Sequence, residues 1–277
     1  MKIRTYFFKG IILLLSVFVL SSCAPVQKTP APPEYTLKDL NEQMVLGAAW
    51  YYSSAEMRAL SYQTYNVAKL IFDLDLLTQK GTSEKPRAVV VDVDETVLDN
   101  GPYEKKMIGH DFAYSSKTFN VWCEEQRASA YPGAVEFLNY VVEKGGDVFY
   151  VSNRKIAVLN ATIDNLKAQG FPQTDTEHVL LQTETSDKEP RRAKIRETHR
   201  IVLLLGDNLN DFDSSFGEKN VADRLSAVEP LKDEFGATFL LMPNPLYGDW
   251  EGAIYDYNWG LTLEEKSQAR KKAIGVE

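Results

Sequence analysis

Short apolar runs alternate along the chain with longer stretches in which apolar residues recur at helical spacing. Five of the runs are continuous, which predicts strands buried on both faces; they lie at 88–91, 148–151, 178–181, 201–205 and 238–241. The stretches between them predict helices at 134–144, 156–169, 191–198 and 221–235. Strands and helices that alternate in this way predict an α/β fold, with a Rossmann-like parallel sheet and helices on both faces.

Two segments lie outside this alternation. Residues 36–77 carry apolar side chains at helical spacing before the first strand, which predicts an N-terminal helical extension over 36–80. Residues from about 103 to 131 follow the first strand and are rich in aromatic side chains, which predicts a small cap over the site. We expect the domain that includes both segments to span 36–277.

The first 22 residues predict a bacterial lipoprotein signal peptide. Three basic residues are followed by an apolar run at 11–20, which is shorter than the about 20 apolar residues that span a bilayer. The run leads into Leu-Ser-Ser-Cys, the lipobox pattern, so Cys23 is the expected lipid-bearing residue and 23–35 a proline-containing tether. The alternatives are a plain secretory signal or an N-terminal membrane anchor. Ala24 rather than Asp follows the cysteine, so we expect a lipid-anchored protein of the cell envelope, at the outer membrane.

The composition of the chain argues against nucleic-acid binding and against a zinc site. The 277 residues include 39 acidic and 31 basic residues, a formal charge of −8, which argues against a nucleic-acid binder. The three histidines and two cysteines do not show the spacing of a zinc site. Any catalysis is therefore expected to depend on carboxylates.

Polar clusters follow three of the predicted strands. They are Asp-Val-Asp-Glu-Thr at 92–96, Ser-Asn-Arg-Lys at 152–155 and Gly-Asp-Asn-Leu-Asn-Asp at 206–211. Ligands of open α/β sheets bind at the carboxyl ends of the strands, so these clusters predict one common site.

The residue types in these clusters favour phosphoryl transfer. Asp92 is the candidate nucleophile and Asp94 the candidate general acid and base, because two neighbouring carboxyl groups can divide those roles. A carboxylate that approaches a phosphate needs a cation between them, and Mg²⁺ suits an all-oxygen site. The predicted ligands are the Asp92 side chain, the Asp94 backbone carbonyl and the acidic pair Asp207 and Asp211.

Two further residues are candidates for binding the phosphate. Ser152, with backbone N–H groups at a helix start, is expected to contact phosphoryl oxygens, and Lys188 to neutralise the remaining charge. For Ser152 and Asn153 the alternative is an ordinary solvated turn, and for Lys188 an exposed lysine at a helix start. A calcium loop is disfavoured because Leu209 occupies a position that needs an oxygen ligand.

These motifs resemble the paired signatures of the class C acid phosphatases, bacterial lipoproteins of the haloacid dehalogenase (HAD) superfamily. The resemblance rests on 92–100 with Tyr103 and on 206–212, extends from about Leu46 to Trp250, and agrees with the lipobox. It implies a HAD-like fold, Mg²⁺ as cofactor, and the roles given above for the four aspartates and Lys188. It also implies phosphate contacts from Ser152 and Asn153.

The same resemblance suggests the substrate. Family members hydrolyse phosphomonoesters, often nucleoside 5′-monophosphates, and hold the base between aromatic side chains; the matching positions here are Phe119 and Tyr247. The alternative for both is core or rim packing. The resemblance further implies a homodimer. Two other functions remain open: a phosphatase of non-nucleotide phosphates, and a surface lipoprotein that binds a ligand such as haem.

Overall fold

The computed structural model describes residues 34–78 and 84–276 of the chain. The predicted signal peptide, Cys23 and all of the predicted tether except its last two residues lie outside this range. The described residues from Tyr35 onward belong to one compact unit.

In the described part of the chain, three helices precede the sheet: α1 (Leu37–Glu42), α2 (Val45–Ser53) and α3 (Ala55–Thr78). Thr36 and Asp39 form a capping box at the start of α1. The backbone of Ser54 is extended, which separates α2 from α3, and its hydroxyl accepts a hydrogen bond from the backbone N–H of Met57. Residues 37–78 therefore form three helices, with breaks at 43–44 and at Ser54.

The remaining elements follow in chain order. They are β1 (Arg87–Val91), β2 (Leu98–Asp99), α4 (Gly101–Glu104), α5 (Ser116–Glu124), β3 (Ser129–Ala130), α6 (Ala134–Glu143), β4 (Asp147–Lys155), α7 (Leu159–Ala168), β5 (Val179–Gln182), α8 (Glu189–Thr198), β6 (Arg200–Gly206), α9 (Val221–Val228), β7 (Phe239–Leu241), α10 (Asp249–Ile254) and α11 (Leu263–Ala273). Short 3₁₀ turns lie at Ile156–Val158, Leu209–Asp211, Ser214–Phe216 and Glu229–Glu234.

The five predicted strands form one parallel sheet in the order β5-β4-β1-β6-β7, which confirms the predicted fold class. Side chains of the central strand β1 alternate between two hydrophobic layers. Val89 and Val91 pack with Phe72 of α3, whereas Val90 packs on the other face with Ile195 of α8. Both faces are covered, as the continuous apolar runs predict.

The predicted cap segment, about 103–131, contains the end of α4, the helix α5 and the short strand β3, which pairs antiparallel with β2 just before the segment. Its aromatic side chains Tyr103, Phe119 and Trp122 are buried in the main hydrophobic cluster. The segment therefore packs directly against the domain that it follows.

Several boundaries differ from the sequence pattern. β4 runs on to Lys155, which pairs with Gln182 of β5, so the second polar cluster lies inside the strand rather than after it. The predicted helix at 221–235 ends at Val228 and continues as a 3₁₀ turn that contains Pro230, because proline cannot donate the next helical hydrogen bond. Helices α10 and α11 were not predicted. Of the helices in the described part of the chain, none combines the length and apolar character needed to cross a membrane.

Candidate active site

Three of the predicted aspartates meet at the carboxyl ends of the two central strands. Asp92 follows β1 directly, Asp207 follows β6, and Asp211 lies on the 3₁₀ turn after β6. One carboxylate oxygen from each lies within 4.8 Å of the others. The backbone N–H of Asp92 donates to the carbonyl of Leu205 (2.9 Å), which extends the pairing of β1 with β6 as far as the site.

Gly206 allows this close approach. A Cβ at this position would lie 2.3 Å from Oδ2 of Asp211, closer than real Cβ contacts, so a larger residue would displace the Asp211 carboxylate. The same Oδ2 accepts from the backbone N–H of Asn208 at 3.0 Å. The glycine of the Gly-Asp-Asn motif is therefore part of the geometry of the site.

Lys188 lies between two of these carboxylates. It occupies the N-cap position of α8, and its buried Nζ forms ion pairs with Oδ1 of Asp92 and with Oδ1 of Asp211, the latter at 2.6 Å. Burial disfavours its charge, but Asp211 and Asp92 outweigh this effect and raise the pKa of Lys188 to about 12. The lysine is therefore a buried, charged side chain paired with two of the aspartates and not a solvated surface residue.

The concentration of negative charge in a buried place raises the pKa of two of these carboxyl groups. Burial raises the pKa of Asp92, the neighbouring Asp211 adds to the effect, and Lys188 partly offsets it. Burial and the charges of Asp211 and Asp92 raise the pKa of Asp207 well above its ordinary value. Asn244 Nδ2 donates to Oδ2 of Asp207 at 2.7 Å and favours its ionised form. The group thus has an excess of acidic oxygens in a buried setting.

This donor set fits a hard divalent cation. Three carboxylates converge with no histidine or cysteine among them, and Mg²⁺ prefers such oxygen ligands. The side chain of Asp94 does not belong to this group, so the predicted ligand at that position is limited to its backbone carbonyl. The side chains of Asp92, Asp207 and Asp211 therefore offer the kind of oxygen ligands that such a cation needs.

Asp94 lies beside this group in a separate network. Oδ1 of Asp94 accepts from Nε of Arg154 at 2.9 Å and from Nδ2 of Asn100 at 2.8 Å. Oδ2 accepts from the hydroxyl of Ser152 at 3.2 Å. The carboxyl group is 18% exposed, so it is held firmly but still open to a ligand.

Ser152 and Asn153, the predicted phosphate contacts, differ in their surroundings. Ser152 is fully buried, and its hydroxyl also accepts from the backbone N–H of Arg154 at 3.0 Å. Asn153 is exposed, and its Oδ1 accepts from Nη2 of Arg191 at 2.7 Å. Arg191 also donates to the backbone carbonyl of Ser152 at 2.6 Å, so it fixes this end of β4.

The two predicted stacking aromatics are not equally accessible. Phe119 is only 9% exposed and packs edge to face against Tyr103, with the guanidinium of Arg154 5.8 Å from its ring centre. This is a packing position, because α5 turns Phe119 inward. Tyr114, whose ring centre lies 5.7 Å from that of Phe119, is 58% exposed. Tyr247 is half-buried and donates its hydroxyl to Glu95.

Sequence reasoning missed Arg191, Asn244 and the exposure of Tyr114. Arg191 had a usable signal, since it lies three residues after Lys188 and therefore on the same face of α8. Asn244 had none, because only the fold brings the loop after β7 next to Asp207. The exposure of Tyr114 depends on where α5 begins, at the N-cap Ser115.

Comparison with known proteins agrees with this geometry. Residues 21–250 match the family model described as HAD superfamily, subfamily IIIB (Acid phosphatase). The structure of the class C acid phosphatase from Bacillus anthracis aligns with a TM-score of 0.79 and 45% identity, over 84% of this chain and 97% of that one. The crystal structure of that protein with tungstate bound aligns equally well, at 44% identity.

A match to a plant protein is more limited. Acid phosphatase 1 of Solanum lycopersicum is 30% identical over 130 residues, which are 44% of this chain and 50% of that protein. The chain spans about half the length of the curated relatives that it matches.

Proposed function

The chain belongs to the subfamily IIIB acid phosphatases of the HAD superfamily, and we propose that it hydrolyses phosphate monoesters through a phospho-aspartate intermediate with a bound Mg²⁺. The observation that carries this proposal is the arrangement of the four aspartates. Asp92 lies next to Asp207, Asp211 and Lys188, while Asp94 lies apart from them in its own hydrogen-bond network. Two carboxyl groups with such different surroundings can take the two different roles that the reaction needs.

In the first half-reaction the carboxylate of Asp92 attacks phosphorus. A bond forms between Asp92 and phosphorus, the bond from phosphorus to the ester oxygen breaks, and the electron pair moves to the leaving oxygen. Asp94 supplies the proton that this oxygen takes up. Lys188, already paired with Asp92, turns its positive charge toward the phosphoryl oxygens, and Ser152 offers them its hydroxyl.

In the second half-reaction Asp94 acts as the base. It takes a proton from water, whose oxygen attacks phosphorus, and the bond between phosphorus and Asp92 breaks. Inorganic phosphate leaves, and Asp92 is again a carboxylate while Asp94 is again protonated. Each proton taken from Asp94 in the first half is therefore returned in the second.

The proposed Mg²⁺ would be held by the carboxylates of Asp92, Asp207 and Asp211 and by the backbone carbonyl of Asp94. When bound, it supplies positive charge that keeps Asp92 ionised and shields it from the charge of the phosphate. The relative from Bacillus anthracis binds tungstate, a tetrahedral oxyanion like phosphate, which supports an oxyanion site in this chain as well.

For the substrate we propose a nucleoside 5′-monophosphate. The support is an exposed aromatic side chain of the cap, Tyr114, and the half-buried Tyr247 of the loop after β7, which replace the pair Phe119 and Tyr247 expected from the sequence. Stacking a base on an aromatic ring is worth about 1–3 kcal/mol. Tyr114→Ala and Tyr247→Ala should each raise KM for a 5′-nucleotide about tenfold and leave KM for a sugar phosphate unchanged. Equal changes for both substrates would contradict base stacking.

The reaction itself is tested with p-nitrophenyl phosphate, with and without EDTA. Asp92→Asn and Asp94→Asn should each lower kcat at least about 100-fold, and EDTA should abolish turnover until Mg²⁺ is restored. Asp164→Asn, at an exposed position on α7, is the matched control and should retain full activity. Full activity in Asp92→Asn would refute the proposal.

The predicted lipid anchor and homodimer are separate proposals. The lipobox supports attachment at Cys23 in the cell envelope, and Cys23→Ser should abolish incorporation of labelled palmitate.

Three exposed leucines of α3, Leu70, Leu74 and Leu77, recur at helical spacing and offer an apolar surface against which a second copy can pack. Sedimentation of the wild type and of Leu74→Glu decides whether a dimer forms there.

A further inference from the structure

The two carboxylate oxygens of Asp94 have different partners. Oδ1 accepts from Nε of Arg154 at 2.9 Å and from Nδ2 of Asn100 at 2.8 Å, and it forms an ion pair with Nη2 of Arg154 at 2.9 Å. All of these donors carry permanent protons, and neither the guanidinium nor the amide nitrogen can accept one in return. A proton on Oδ1 would therefore face several donors at once.

Oδ2 is in a more permissive position. Of the described residues, only Ser152 forms a hydrogen bond with it, through a hydroxyl at 3.2 Å. A hydroxyl can rotate, so that it donates to an ionised carboxylate and accepts from a protonated one. The hydroxyl of Ser152 also accepts from the backbone N–H of Arg154, which leaves it free to serve in either direction.

We propose that Arg154 and Asn100 are positioning residues. By holding Oδ1 of Asp94, they leave Oδ2 as the oxygen that exchanges the proton with the leaving group. This inference rests on the acid/base role proposed for Asp94. The donors fix Oδ1 and the plane of the carboxyl group, so only Oδ2 remains to face the substrate. Proton transfer depends on such geometry because the acid must lie within hydrogen-bond reach of the oxygen that it protonates.

Helix α5 of the cap segment takes part in this arrangement through Trp122. Oδ1 of Asn100 accepts from Nε1 of Trp122 at 2.8 Å and from Nη2 of Arg154 at 3.3 Å, which orients the amide so that its nitrogen faces Asp94. The backbone N–H of Asn100 donates to Oε1 of Glu95 at 2.8 Å. Asn100 is fully buried, and every polar atom of its side chain has a partner. The orientation of Asp94 is thus connected to α5 through two hydrogen bonds in series.

Leaving-group dependence tests this role, because a badly placed acid matters only when the leaving oxygen needs a proton. Phenyl phosphate has a basic leaving group, whereas 2,4-dinitrophenyl phosphate releases a stable anion. Asn100→Ala should lower kcat/KM for phenyl phosphate about 10- to 100-fold, because a misplaced acid loses part of the roughly 10²–10⁴-fold that general acid catalysis contributes, and change it less than about threefold for the dinitrophenyl ester. Asp94→Asn should show the same selectivity with a larger loss.

A second variant distinguishes a loss of acid positioning from a general loss of structure. Trp122→Phe keeps an aromatic ring in the core but removes the donor to Asn100, so we expect a selective loss of about two- to fivefold on phenyl phosphate. Trp259→Phe, outside the cap and 55% exposed, is the matched control and should change neither substrate. Equal losses on both esters in Asn100→Ala and Trp122→Phe, or no loss in either, would overturn the inference. A wild type that hydrolyses neither ester would instead overturn the proposed phosphatase reaction.

Discussion

The buried carboxyl group of Glu104 should make the free energy of unfolding depend on pH. Glu104 is the last residue of α4, is 4% exposed, and its Oε2 has no hydrogen-bond partner among the described residues. Burial, followed by the charges of Asp94 and Glu251, raises the pKa of Glu104 to about 8 from an ordinary value of 4.5. The folded protein therefore holds this carboxyl group neutral over a range in which the unfolded chain ionises it.

The sign and size of the effect follow from linkage. Because the folded pKa is the higher one, the contribution of Glu104 is complete below pH 4.5, declines as the pH rises through the interval, and is lost above about pH 8. At about 1.4 kcal/mol for each pKa unit, the loss amounts to about 5 kcal/mol. Glu104→Gln keeps the shape of the side chain and cannot ionise, so it should escape this loss.

Urea unfolding of wild type and Glu104→Gln from pH 4 to pH 9, in metal-free buffer, measures the effect. The free energy of unfolding of the variant, relative to wild type, should rise by up to about 5 kcal/mol across this range. Glu143→Gln, at the exposed end of α6, is the control and should show a constant difference. A constant difference for Glu104→Gln as well would refute the reasoning.

Three further predictions concern the candidate active site and the thiol of Cys123. Gly206→Ala should displace Asp211 and abolish the rise in Tm on adding Mg²⁺; an unchanged rise would show that Asp211 is not needed. Lys188→Met, which leaves the buried Asp92 and Asp211 without their ammonium partner, should lower the free energy of unfolding by about 3–5 kcal/mol in metal-free urea titrations, and wild-type stability would contradict this. Burial raises the pKa of Cys123 to about 12, so in a Cys23→Ser background the folded protein should not react with a disulfide reagent at pH 8, whereas fast reaction without denaturant would contradict burial.

The sequence predicts the central sheet and the convergence of Asp92 with Asp207 for one physical reason. Continuous apolar runs indicate buried parallel strands, and the carboxyl ends of parallel strands meet at one edge of a sheet. Both inferences need only the order of residues along the chain. They hold because the backbone pairing of β1 with β6 sets the positions of the residues that follow.

The side-chain network around Asp94 could not be predicted in the same way. Arg154 reaches Asp94 because β4 continues to Lys155, and that length depends on pairing with Gln182 of the neighbouring strand β5. The burial of Phe119 was closer to being predictable. Phe119, Trp122 and Cys123 follow the i, i+3, i+4 spacing of one helix face, but the spacing can be used only once the start of α5 at Ser115 is known.

The charges of the site explain why its carboxylates need a cation before a phosphate can approach. Three of them, Asp92, Asp207 and Asp211, converge, and Lys188 forms ion pairs with Asp92 and Asp211, so these four side chains together carry a surplus of two negative charges when all are ionised. Burial makes this surplus costly, as the raised pKa values of Asp92 and Asp207 show. A phosphate would add negative charge of its own to the same space, so Lys188 alone is too little. A divalent cation cancels the surplus, and the charge of Lys188 is then available to the phosphoryl oxygens.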